Sequence, residues 1–495
     1  MGASLTAMIT GLIELKRSDD SGLVAQLTHQ LRQLISGGRI GKGSVLPSSR
    51  RLAAELAVSR NTVTHAFEQL VAEGYLEMSR GRRATVAAHI DERLTKAASG
   101  VIRAPLRRPS LSRWASRLAH MDWPLSYQAA FRPLRPGFAD VREFPNEIWA
   151  RCLRRSAVRR GRDQQALVNR PGLRQALKEY LQSSRGVRAD TDQIFILPTA
   201  QAALTLIAAI VIAPGDCVWT EDPGYPGAAA AFRAAGARVV GVKLDGQGMR
   251  RVIGAPPPKV IFTTPSHQHP TGRLMSVVRR SELLAAAISG QTWVVEDDYD
   301  GEFHYDSRPV PALQGLDTQG RVFYVGTFSK AMTPEIRLGY VVAPPALAGT
   351  IEIAQRHIGL IAAAHVQEAL SDFISDGHFL AHVRRMRRVY RARRDHLVEK
   401  LKQHLADVLS VEVPPGGMHL VARLRQSASD KAVAQRLIDA GVEVRALSGL
   451  ALERPRDHGL ILGFTAWRET EISAAVRTMA ACLTPATVKR RVSSR

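Results

Sequence analysis

Seven short apolar runs, separated by longer stretches of mixed polarity, constrain the fold of residues 193–344. They are QIFIL, CVWT, ARVVGV, KVIFTTP, TWVVED, RVFYVGTF and LGYVVAP. Runs of this length suit strands buried on both faces, and the stretches between them suit helices. This alternation predicts an α/β domain with a mostly parallel sheet covered by helices. Sites in such sheets collect at the carboxyl ends of the strands, so the polar residues that follow each run are of interest.

The composition allows several folded domains and favours a polyanionic partner. The chain has 495 residues, of which 45% are hydrophobic, and this suits two or three domains with real cores. Lys and Arg outnumber Asp and Glu by 68 to 45, which gives a net charge of +23. Such an excess favours nucleic acid or a membrane surface as a partner, although an arginine-rich composition alone gives the same balance. The densest arginine run, residues 382–397, is interpreted as a solvated helix face, with a second DNA-contact surface as the alternative.

The three cysteines are far apart and form no CxxC pair. They are Cys152, Cys217 and Cys482. This spacing argues against a disulfide framework and against a zinc site, and it favours a reducing, cytoplasmic location. The longest apolar run, residues 202–213, is shorter than a membrane span, and the N-terminus has no signal-peptide pattern. We therefore expect a cytoplasmic protein without a metal site or a membrane partner.

The chain divides into four regions of different character. Residues 1–86 carry short helical patterns followed by a basic hairpin, and residues 87–128 have few apolar clusters and several arginines. The alternating strands and helices occupy residues 129–484, and residues 485–495 form a basic tail. We therefore predict an N-terminal domain of helices and a winged hairpin, a linker, an α/β domain and a tail.

Residues 46–76 have the pattern of two helices joined by a tight turn. Ser48 and Ser59 are placed to cap the two helices, and Gly74 is placed to end the second. The helix before them, in residues 23–35, repeats leucines on one face. A second helix with polar residues at its exposed front is typical of a helix-turn-helix. The residues expected at a DNA surface are Ser48, Arg50, Arg51, Ser59, Arg60, Asn61, Thr62, Arg82 and Arg83.

The segment that follows, YLEMSRGRRATVA, predicts a short hairpin with a basic tip. A three-helix module for protein contact is the alternative, but the clustered arginines favour DNA binding. Residues 23–86 resemble the GntR-type winged helix, because they match its pattern LPSSRxLAxxLxVSRxTVxxAYxxLxAEGYL closely. The tip departs from the family, since residues 81–86 read GRRATV where GSGTxV is common. The extra arginines should strengthen contact with phosphates.

Chemically distinctive side chains follow several of the predicted strands. RVFYVGTF runs into Lys330, and burying an ammonium is costly unless it is paired or neutralised. Asp297 is the last residue of TWVVED, and Tyr225 lies in the turn EDPGYPG. A lysine that condenses with an aldehyde, a carboxylate for a protonated ring nitrogen and a ring for stacking suit a flat, phosphorylated heteroaromatic aldehyde. The helix start after QIFIL can hold its phosphate.

Each of these residues also has a purely structural explanation. Asp297 could end a strand, Tyr225 could be a core ring, and Arg337 could form a structural ion pair. His267 and His269 are interpreted as turn residues rather than metal ligands, because no third ligand with suitable spacing is apparent. The order in which all of these residues occur nevertheless favours a cofactor site.

Residues 129–480 resemble fold-type I enzymes that use pyridoxal 5'-phosphate (PLP), of the aspartate aminotransferase class. The resemblance implies that Lys330 forms the Schiff base and that Asp297 pairs with the pyridine nitrogen. It also implies that Tyr299 contacts the phenolate oxygen and that Tyr225 stacks on the ring. The other positions implied to contact the cofactor are Ala200, Gln201, His269, Thr327 and Arg337.

A GntR-type winged helix ahead of this fold resembles the MocR/GabR family of transcriptional regulators. The motifs SRGV, EDPGYPG, HQxPTG, EDDYDxEF and GTFSK occur in order along the chain. The resemblance implies a PLP-dependent homodimer in which each winged helix crosses to the partner's aminotransferase-like domain. It also implies that a small amine, an amino acid or PLP itself alters operator binding through aldimine chemistry at Lys330. An active aminotransferase with an accessory DNA-binding domain is the alternative; a regulator would have weak or absent transaminase activity.

Four positions depart from the pattern of the related proteins. Thr199 stands where family members often have glycine, and Leu167 where aminotransferases have a tyrosine that reaches the partner subunit's cofactor phosphate. His269 replaces an asparagine or an aromatic residue. Ile461 stands where aminotransferases have the arginine that grips the substrate carboxylate. Arg445 is the candidate for a replacement cation, with a surface charge at a strand end as the alternative.

Overall fold

The structure is a computed structural model, and the chain separates into two compact units, residues 1–110 and 111–495. The residues described are 8–16, 21–79, 82–88, 110–119, 121, 131–159, 168–250, 252, 254–306, 310–426, 428–453 and 457–483. Most of the predicted linker, Leu167 and the predicted tail lie outside them. Within the described ranges, no helix is long and apolar enough to cross a membrane.

The first unit packs three helices on a common core. Its elements are α1 (Leu23–Ser36), α2 (Ser49–Glu55), α3 (Arg60–Ala72), β1 (Leu76–Glu77) and β2 (Thr85–Val86). Leu27 and Leu31 of α1 and Val63, Phe67 and Leu70 of α3 are buried together. These residues recur at helical spacing on the faces that the sequence predicts, so the three-helix prediction is confirmed.

Serine side chains cap α2 and α3, as predicted. Ser48 Oγ accepts a hydrogen bond of 3.3 Å from the backbone N–H of Arg51, and Ser59 Oγ accepts one of 3.0 Å from that of Thr62. Gly74 follows α3 with a φ of 77°, a conformation that glycine adopts without steric cost. The caps fix where each helix begins, and therefore which side chains lie in its exposed first turn.

The predicted hairpin is present, with a third segment along its edge. β1 and β2 pair antiparallel, with Leu76 opposite Val86. The backbone N–H of Leu46 donates to the carbonyl of Ala84 at 2.8 Å, and that of Val86 donates to the carbonyl of Ser44 at 3.0 Å. This third segment is not predicted, because GKGSVLP lacks the alternation of apolar and polar residues that indicates a strand.

The second unit is built around an eight-stranded sheet. Its strands are β3 (Ile194–Leu197), β4 (Cys217–Asp222), β5 (Arg238–Asp245), β6 (Gly248–Met249), β7 (Val260–Thr263), β8 (Trp293–Asp298), β9 (Val322–Thr327) and β10 (Gly339–Val342). They lie in the order β3-β10-β9-β8-β7-β4-β5-β6, and only β6 and β10 run against the others. All seven predicted strands are present, and the mostly parallel α/β fold is confirmed.

Helices cover both faces of this sheet. The helices of the second unit are α4 (Arg113–Leu118), α5 (Asn146–Val158), α6 (Pro171–Arg185), α7 (Ala200–Val211), α8 (Pro226–Ala235), α9 (Val277–Ser289), α10 (Leu313–Leu316), α11 (Ala348–Ile358), α12 (Ala364–Ser375), α13 (His378–Leu405), α14 (Asp430–Asp439) and α15 (Glu469–Leu483). Phe323 and Val325 of β9 enter a core with α7 and α8, whereas Tyr324 enters the core that contains α12 and α13. The strands are therefore buried on both sides, as their continuous apolar character predicts.

A second, four-stranded antiparallel sheet follows α13. Its strands are β11 (Leu409–Val411), β12 (His419–Leu424), β13 (Arg445–Ala446) and β14 (Gly459–Gly463), in the order β11-β12-β14-β13. Arg445 pairs opposite Ile461, which pairs opposite Val421. The predicted strands end at residue 344, so the sequence analysis does not anticipate this sheet, whose short strands carry little periodic signal.

The arginine-rich run lies in α13, and part of it is buried. Arg393 lies 2.9 Å from a carboxylate oxygen of Asp140, and Arg394 lies 2.5 Å from one of Asp306. Both arginines are less than one-tenth exposed. The interpretation of the run as a solvated face is therefore wrong for these two residues, which join α13 to two segments that precede it in the chain. The alternative, a second DNA-contact surface, stays a prediction for the exposed arginines.

Candidate cofactor site and DNA surface

Lys330 lies just beyond the carboxyl end of β9. Its Nζ donates a hydrogen bond of 2.5 Å to the carbonyl oxygen of Gly137, which has a φ of 86° that glycine readily adopts. Burial lowers the pKa of Lys330 to about 8; Asp300 opposes this shift and Arg445 adds to it. An amine with such a pKa is partly neutral near neutral pH, and the neutral form attacks carbonyl carbons.

Asp297 lies at the carboxyl end of β8, the strand beside β9. It is 5% exposed, and its Oδ1 has no hydrogen-bond partner in the structure. Burial raises the pKa of Asp297 to about 8, with Asp298 and Asp300 adding to the shift and Lys330 opposing it. A buried carboxyl without a partner is costly, and a protonated pyridine nitrogen would supply both a hydrogen bond and a positive charge. The residue therefore fits the role that the resemblance implies.

Aromatic rings and imidazoles gather beside these two groups. The His269 ring lies 5.7 Å from that of Tyr225 and 5.8 Å from that of Tyr299, close to perpendicular in both pairs. Burial lowers the pKa of His269 to about 3, with the charge of Arg445 adding to the effect, so its imidazole is neutral. Burial likewise keeps Tyr299 protonated, because its pKa is raised well above the usual value. Tyr299 can therefore donate a hydrogen bond to a phenolate oxygen.

The first turn of α7 follows directly from the end of β3. The N–H groups of a first helical turn have no acceptor within the helix. Here the N–H of Ala202 donates to the side chain of the cap residue Thr199 at 3.0 Å. Gln201 Nε2 donates to the carbonyl of Gly227 at 2.9 Å, which holds the turn against the segment around Tyr225. A Cβ at Gly339 would come within 2.6 Å of the Ala200 nitrogen, so the glycine lets β10 approach this turn. Thr199 thus serves as a cap where family members often have glycine.

Thr327 and Arg337 differ in their placement. Thr327 ends β9 and is buried, and its Oγ1 accepts a hydrogen bond of 3.2 Å from the backbone N–H of Ser329. Arg337 is exposed and has a left-handed φ of 49°. The structure brings Thr327 to the same strand end as Lys330. The phosphate-binding role of Arg337 stays a prediction.

Arg185 forms hydrogen bonds with residues at the carboxyl ends of the strands, a role that the sequence analysis does not predict. Its Nε donates to Asp298 at 2.7 Å, and its Nη2 donates to Ser266 at 2.7 Å. Tyr324 also donates to Asp298, at 2.6 Å. This buried network fixes the position of Asp298, the residue next to Asp297. Arg185 belongs to the motif SRGV, and that motif is the sequence feature from which its role could have been predicted.

Two histidines and an aspartate meet at the other side of Tyr299. The possible ligand atoms of His267, Asp300 and His419 all lie within 4.8 Å of one another. The reason for excluding a third ligand near His267 was therefore wrong, because the fold brings in residues distant in sequence. His267 Nδ1 lies 2.9 Å from the Tyr299 hydroxyl and 3.0 Å from Asp300, and His419 Nε2 lies 2.9 Å from the carbonyl of Pro270. One nitrogen of each imidazole is therefore engaged in a contact, whereas His267 Nε2 is buried without a hydrogen-bond partner.

The nine residues predicted to contact DNA lie at the starts of α2 and α3 and in the hairpin. Each is exposed except Thr62, which is half-buried. Arg51 pairs with Glu55 at 3.1 Å, and the two serines use their hydroxyl oxygens as helix caps. The individual DNA contacts stay predictions.

Comparisons with known proteins support both units. The model of the bacterial regulatory proteins of the gntR family matches residues 23–86, and that of aminotransferase class I and II matches residues 157–492. The probable rhizopine catabolism regulatory protein MocR of Rhizobium meliloti is 38% identical and covers 92% of each chain. The pyridoxine biosynthesis transcriptional regulator PdxR of Corynebacterium glutamicum is 29% identical over 94% of this chain and 98% of its own.

A solved structure shows the same relation for the second unit. The kynurenine aminotransferase of Pyrococcus horikoshii, in complex with PMP, is 27% identical, with a TM-score of 0.64 over 78% of this chain and 97% of that one. The fold and site therefore define a helix-turn-helix regulator with a domain of the PLP-binding aminotransferase fold. The chain belongs to the MocR/GabR family of transcriptional regulators.

Proposed function

We propose that this regulator binds PLP at Lys330 and that a ligand of this site changes its affinity for operator DNA. The observation that carries the proposal is the pairing of Lys330, with its lowered pKa, and Asp297, with its unpartnered buried oxygen, at the ends of neighbouring strands. When bound, PLP supplies an electrophilic carbon and an electron-withdrawing ring.

The residues around the pair divide the work of holding the cofactor. Asp297 would hold the proton on the ring nitrogen, and Tyr299 would donate to the phenolate oxygen. Tyr225 supplies an aromatic face. The groups available for the phosphate are the first turn of α7, Thr327 and Arg337. Each of these assignments rests on the placement of the residue and on the family resemblance.

Lys330 also connects the proposed cofactor site to a neighbouring segment of the chain. Its Nζ contacts the carbonyl of Gly137, in the segment 131–140. Asp140 at the end of this segment is buried and ion-paired with Arg393 of α13. A change in the bonding of the lysine therefore alters a contact with a segment that α13 anchors. Such a change can shift domain arrangements only by the difference in ligand affinity between them.

The cofactor assignment is tested on the purified full-length protein. We expect a visible absorption band after loading with PLP, and borohydride reduction should fix the cofactor on the peptide that contains Lys330. Lys330→Ala should lose both signals, whereas Lys259→Ala, at an exposed lysine, should keep them. A reduced adduct on another lysine would show that the assignment is wrong.

The regulatory part is tested by DNA binding across salt concentrations, on intergenic fragments that flank the gene. Affinity should fall steeply with salt, because phosphate contacts release counterions. Arg60→Ala should reduce discrimination between sequences, by about 1–3 kcal/mol if a base edge is read. Arg82→Ala should weaken all sequences alike. Loading with PLP should change the affinity of the wild type but not that of Lys330→Ala; equal affinities with and without PLP would count against sensing.

An active aminotransferase is the second candidate function. The retention of Lys330 and Asp297 favours it, as does the similarity to solved aminotransferases. The buried apolar side chain of Ile461, at the position of the substrate-binding arginine, argues against it. Multiple-turnover formation of a keto acid distinguishes the two.

A further inference from the structure

We infer that Arg445, opposite Ile461 in the second sheet, is the anion-binding group of the effector pocket and that the effector is an amine carrying a carboxylate. The inference rests on the proposed function, since it takes the Lys330 site as the place where the effector binds. It goes further by assigning a chemical class to the effector and a cation to recognise it.

The register of the second sheet places Arg445 on the appropriate face. Residues directly opposite each other in an antiparallel pair share one face of the sheet, with Cβ atoms about 4.5–5.5 Å apart. Arg445 is opposite Ile461, and Ile461 is opposite Val421. Ile461 and Val421 pack in a small cluster with Leu447 and Leu450, separate from the main core of the unit. Arg445 therefore projects from the same face as Ile461, one strand nearer to the sheet edge.

Electrostatic coupling connects Arg445 to the cofactor residues. Its charge contributes to lowering the pKa of both Lys330 and His269, and Tyr225 in turn acts on Arg445. These three residues come from three separate parts of the chain. The geometry agrees, because His419 lies on the same face of the sheet as Arg445 and its ring is 5.8 Å from that of His269, so this face borders the site. Arg445 is half-buried rather than a surface charge at a strand end.

The local charges leave room for an anionic ligand. The charge of Glu443 acts on Arg445, but Glu443 is already paired with a second guanidinium, that of Arg135, at 3.2 Å. Among the residues that the structure describes, no carboxylate forms an ion pair with Arg445. A guanidinium stays protonated even where burial lowers its pKa, as it does here. A ligand carboxylate would satisfy this half-buried cation and could form two parallel hydrogen bonds with it.

The same geometry explains why Ile461 need not be an arginine. Ile461 is 2% exposed and fills an apolar cluster. Moving the cation from β14 to β13 shifts it by about one strand spacing, roughly 4.8 Å. The preferred distance between the amine and the carboxylate of the ligand should shift with it. A panel of ligands must therefore vary this distance.

The experiment uses the full-length protein after its PLP loading has been measured. The probes are L-alanine, β-alanine and 5-aminopentanoate. The controls are amines that lack the carboxylate: ethylamine for the first two probes and n-butylamine for the third. The readouts are the visible spectrum and the affinity for DNA. At least one amino acid should act at a concentration about thirty-fold or more below that of its amine, the least effect expected of a buried charge pair.

Three variants locate the effect. Arg445→Met keeps most of the apolar stem and should remove the advantage of the amino acid over its amine, while the variant still loads PLP and still responds to the amine. Arg445→Lys should restore part of the advantage, because it keeps a charge without the planar fork. Arg436→Met, at an exposed position on α14, is the matched control.

The outcomes separate this inference from the proposed function. If the wild type fails to load PLP, the proposed function fails first. If it loads PLP but responds equally to amines and amino acids, or to none of the probes, the inference is overturned while the cofactor assignment stands. Loss of PLP loading in Arg445→Met, with unchanged thermal melting, would assign the arginine to the cofactor and also overturn the inference.

Discussion

The charged forms of Asp297 and Lys330 are both destabilised by burial in the folded protein. The pKa of the carboxyl is raised to about 8 and that of the amine is lowered to about 8, and burial is the largest cause in both. Each group opposes the shift of the other, yet Asp297 Oδ1 still lacks a hydrogen bond. Groups held at such a cost are typical of functional sites. A cofactor with a protonated ring nitrogen relieves the cost at Asp297.

Asp297→Ala should therefore have opposite effects on cofactor binding and on stability. PLP retention should weaken by about 1.5–3 kcal/mol, the value of a hydrogen bond to a charged group. The PLP-free protein should melt at the same temperature or higher, because an unsatisfied buried carboxyl is removed. Equilibrium dialysis and thermal melting measure the two quantities. Asp192→Ala, at an exposed aspartate, should change neither; a lower melting temperature for PLP-free Asp297→Ala would contradict the argument.

The lowered pKa of Lys330 predicts the pH dependence of PLP attachment. Only the neutral amine attacks, so below the pKa the rate should rise about tenfold per pH unit, and it should level above pH 8 rather than above the ordinary value of 10.5. Arg445→Met should move the midpoint upward, because the arginine charge disfavours the ammonium. Attachment is followed by absorbance after mixing the PLP-free protein with PLP. A midpoint near 10 in the wild type would show that the lysine is solvated.

The residues found from the sequence share one property: they lie at the ends of apolar strands or in the turns that follow them. Lys330, Asp297 and Tyr225 were predicted on that basis, and the structure places them at the carboxyl ends of neighbouring strands or in the turns after them. Gly137 and His419 were missed, because they reach the site from segments far away in sequence. Their positions depend on how the two sheets and the segment 131–140 come together, which no local pattern encodes.

At the scale of elements, long apolar runs and capped helices were predictable, and short strands were not. Strands β3 to β10, apart from the two-residue β6, follow from apolar runs. The two residues of β13 carry no periodicity, although they determine where Arg445 lies. In the first unit the capping serines determine where the helices begin more than the helix propensities of the residues do. Ser59 begins α3, and its Oγ lies 3.0 Å from the Thr62 nitrogen and 2.8 Å from its hydroxyl.

Replacing the cap of α3 should separate its structural role from its effect on DNA binding. Ser59→Ala should cost about 1 kcal/mol of unfolding free energy, because an N–H of the first turn loses its acceptor. Ser59→Asp should keep the cap and the stability, since aspartate is an equally good N-cap residue. DNA affinity should fall in both variants, through a frayed first turn in the first and through charge repulsion in the second. Denaturant unfolding and gel shifts measure the two effects, and unchanged affinity in Ser59→Asp would place α3 away from the phosphates.

At the scale of the whole molecule, the aminotransferase fold carries the side chains proposed to hold PLP, but not the arginine that holds a substrate carboxylate in aminotransferases. The groups that would hold PLP remain at the strand ends of the large sheet. The position that holds a substrate carboxylate in aminotransferases is Ile461, which is buried in an apolar cluster. The net charge of +23 and the gntR-family unit direct the chain toward DNA instead. Binding without efficient turnover suits a sensor, because a ligand that is consumed does not hold a population shift.

We therefore expect transamination of common α-amino acids to be slow or absent, although PLP is bound. Losing one partner of a buried charge pair costs about 2–5 kcal/mol, which weakens carboxylate recognition roughly thirty- to several-thousand-fold. If Arg445 supplies the replacement, it does so one strand away, so the α-carboxylate of a short amino acid is not held in the orientation that turnover needs. Keto-acid formation with L-aspartate, L-alanine and L-glutamate as donors is the measurement, on protein whose PLP content is known. Many turnovers per site at millimolar donor, without an effect of the donor on DNA affinity, would establish the enzyme in place of the regulator. A spectral change and altered DNA affinity without released keto acid are the expected result.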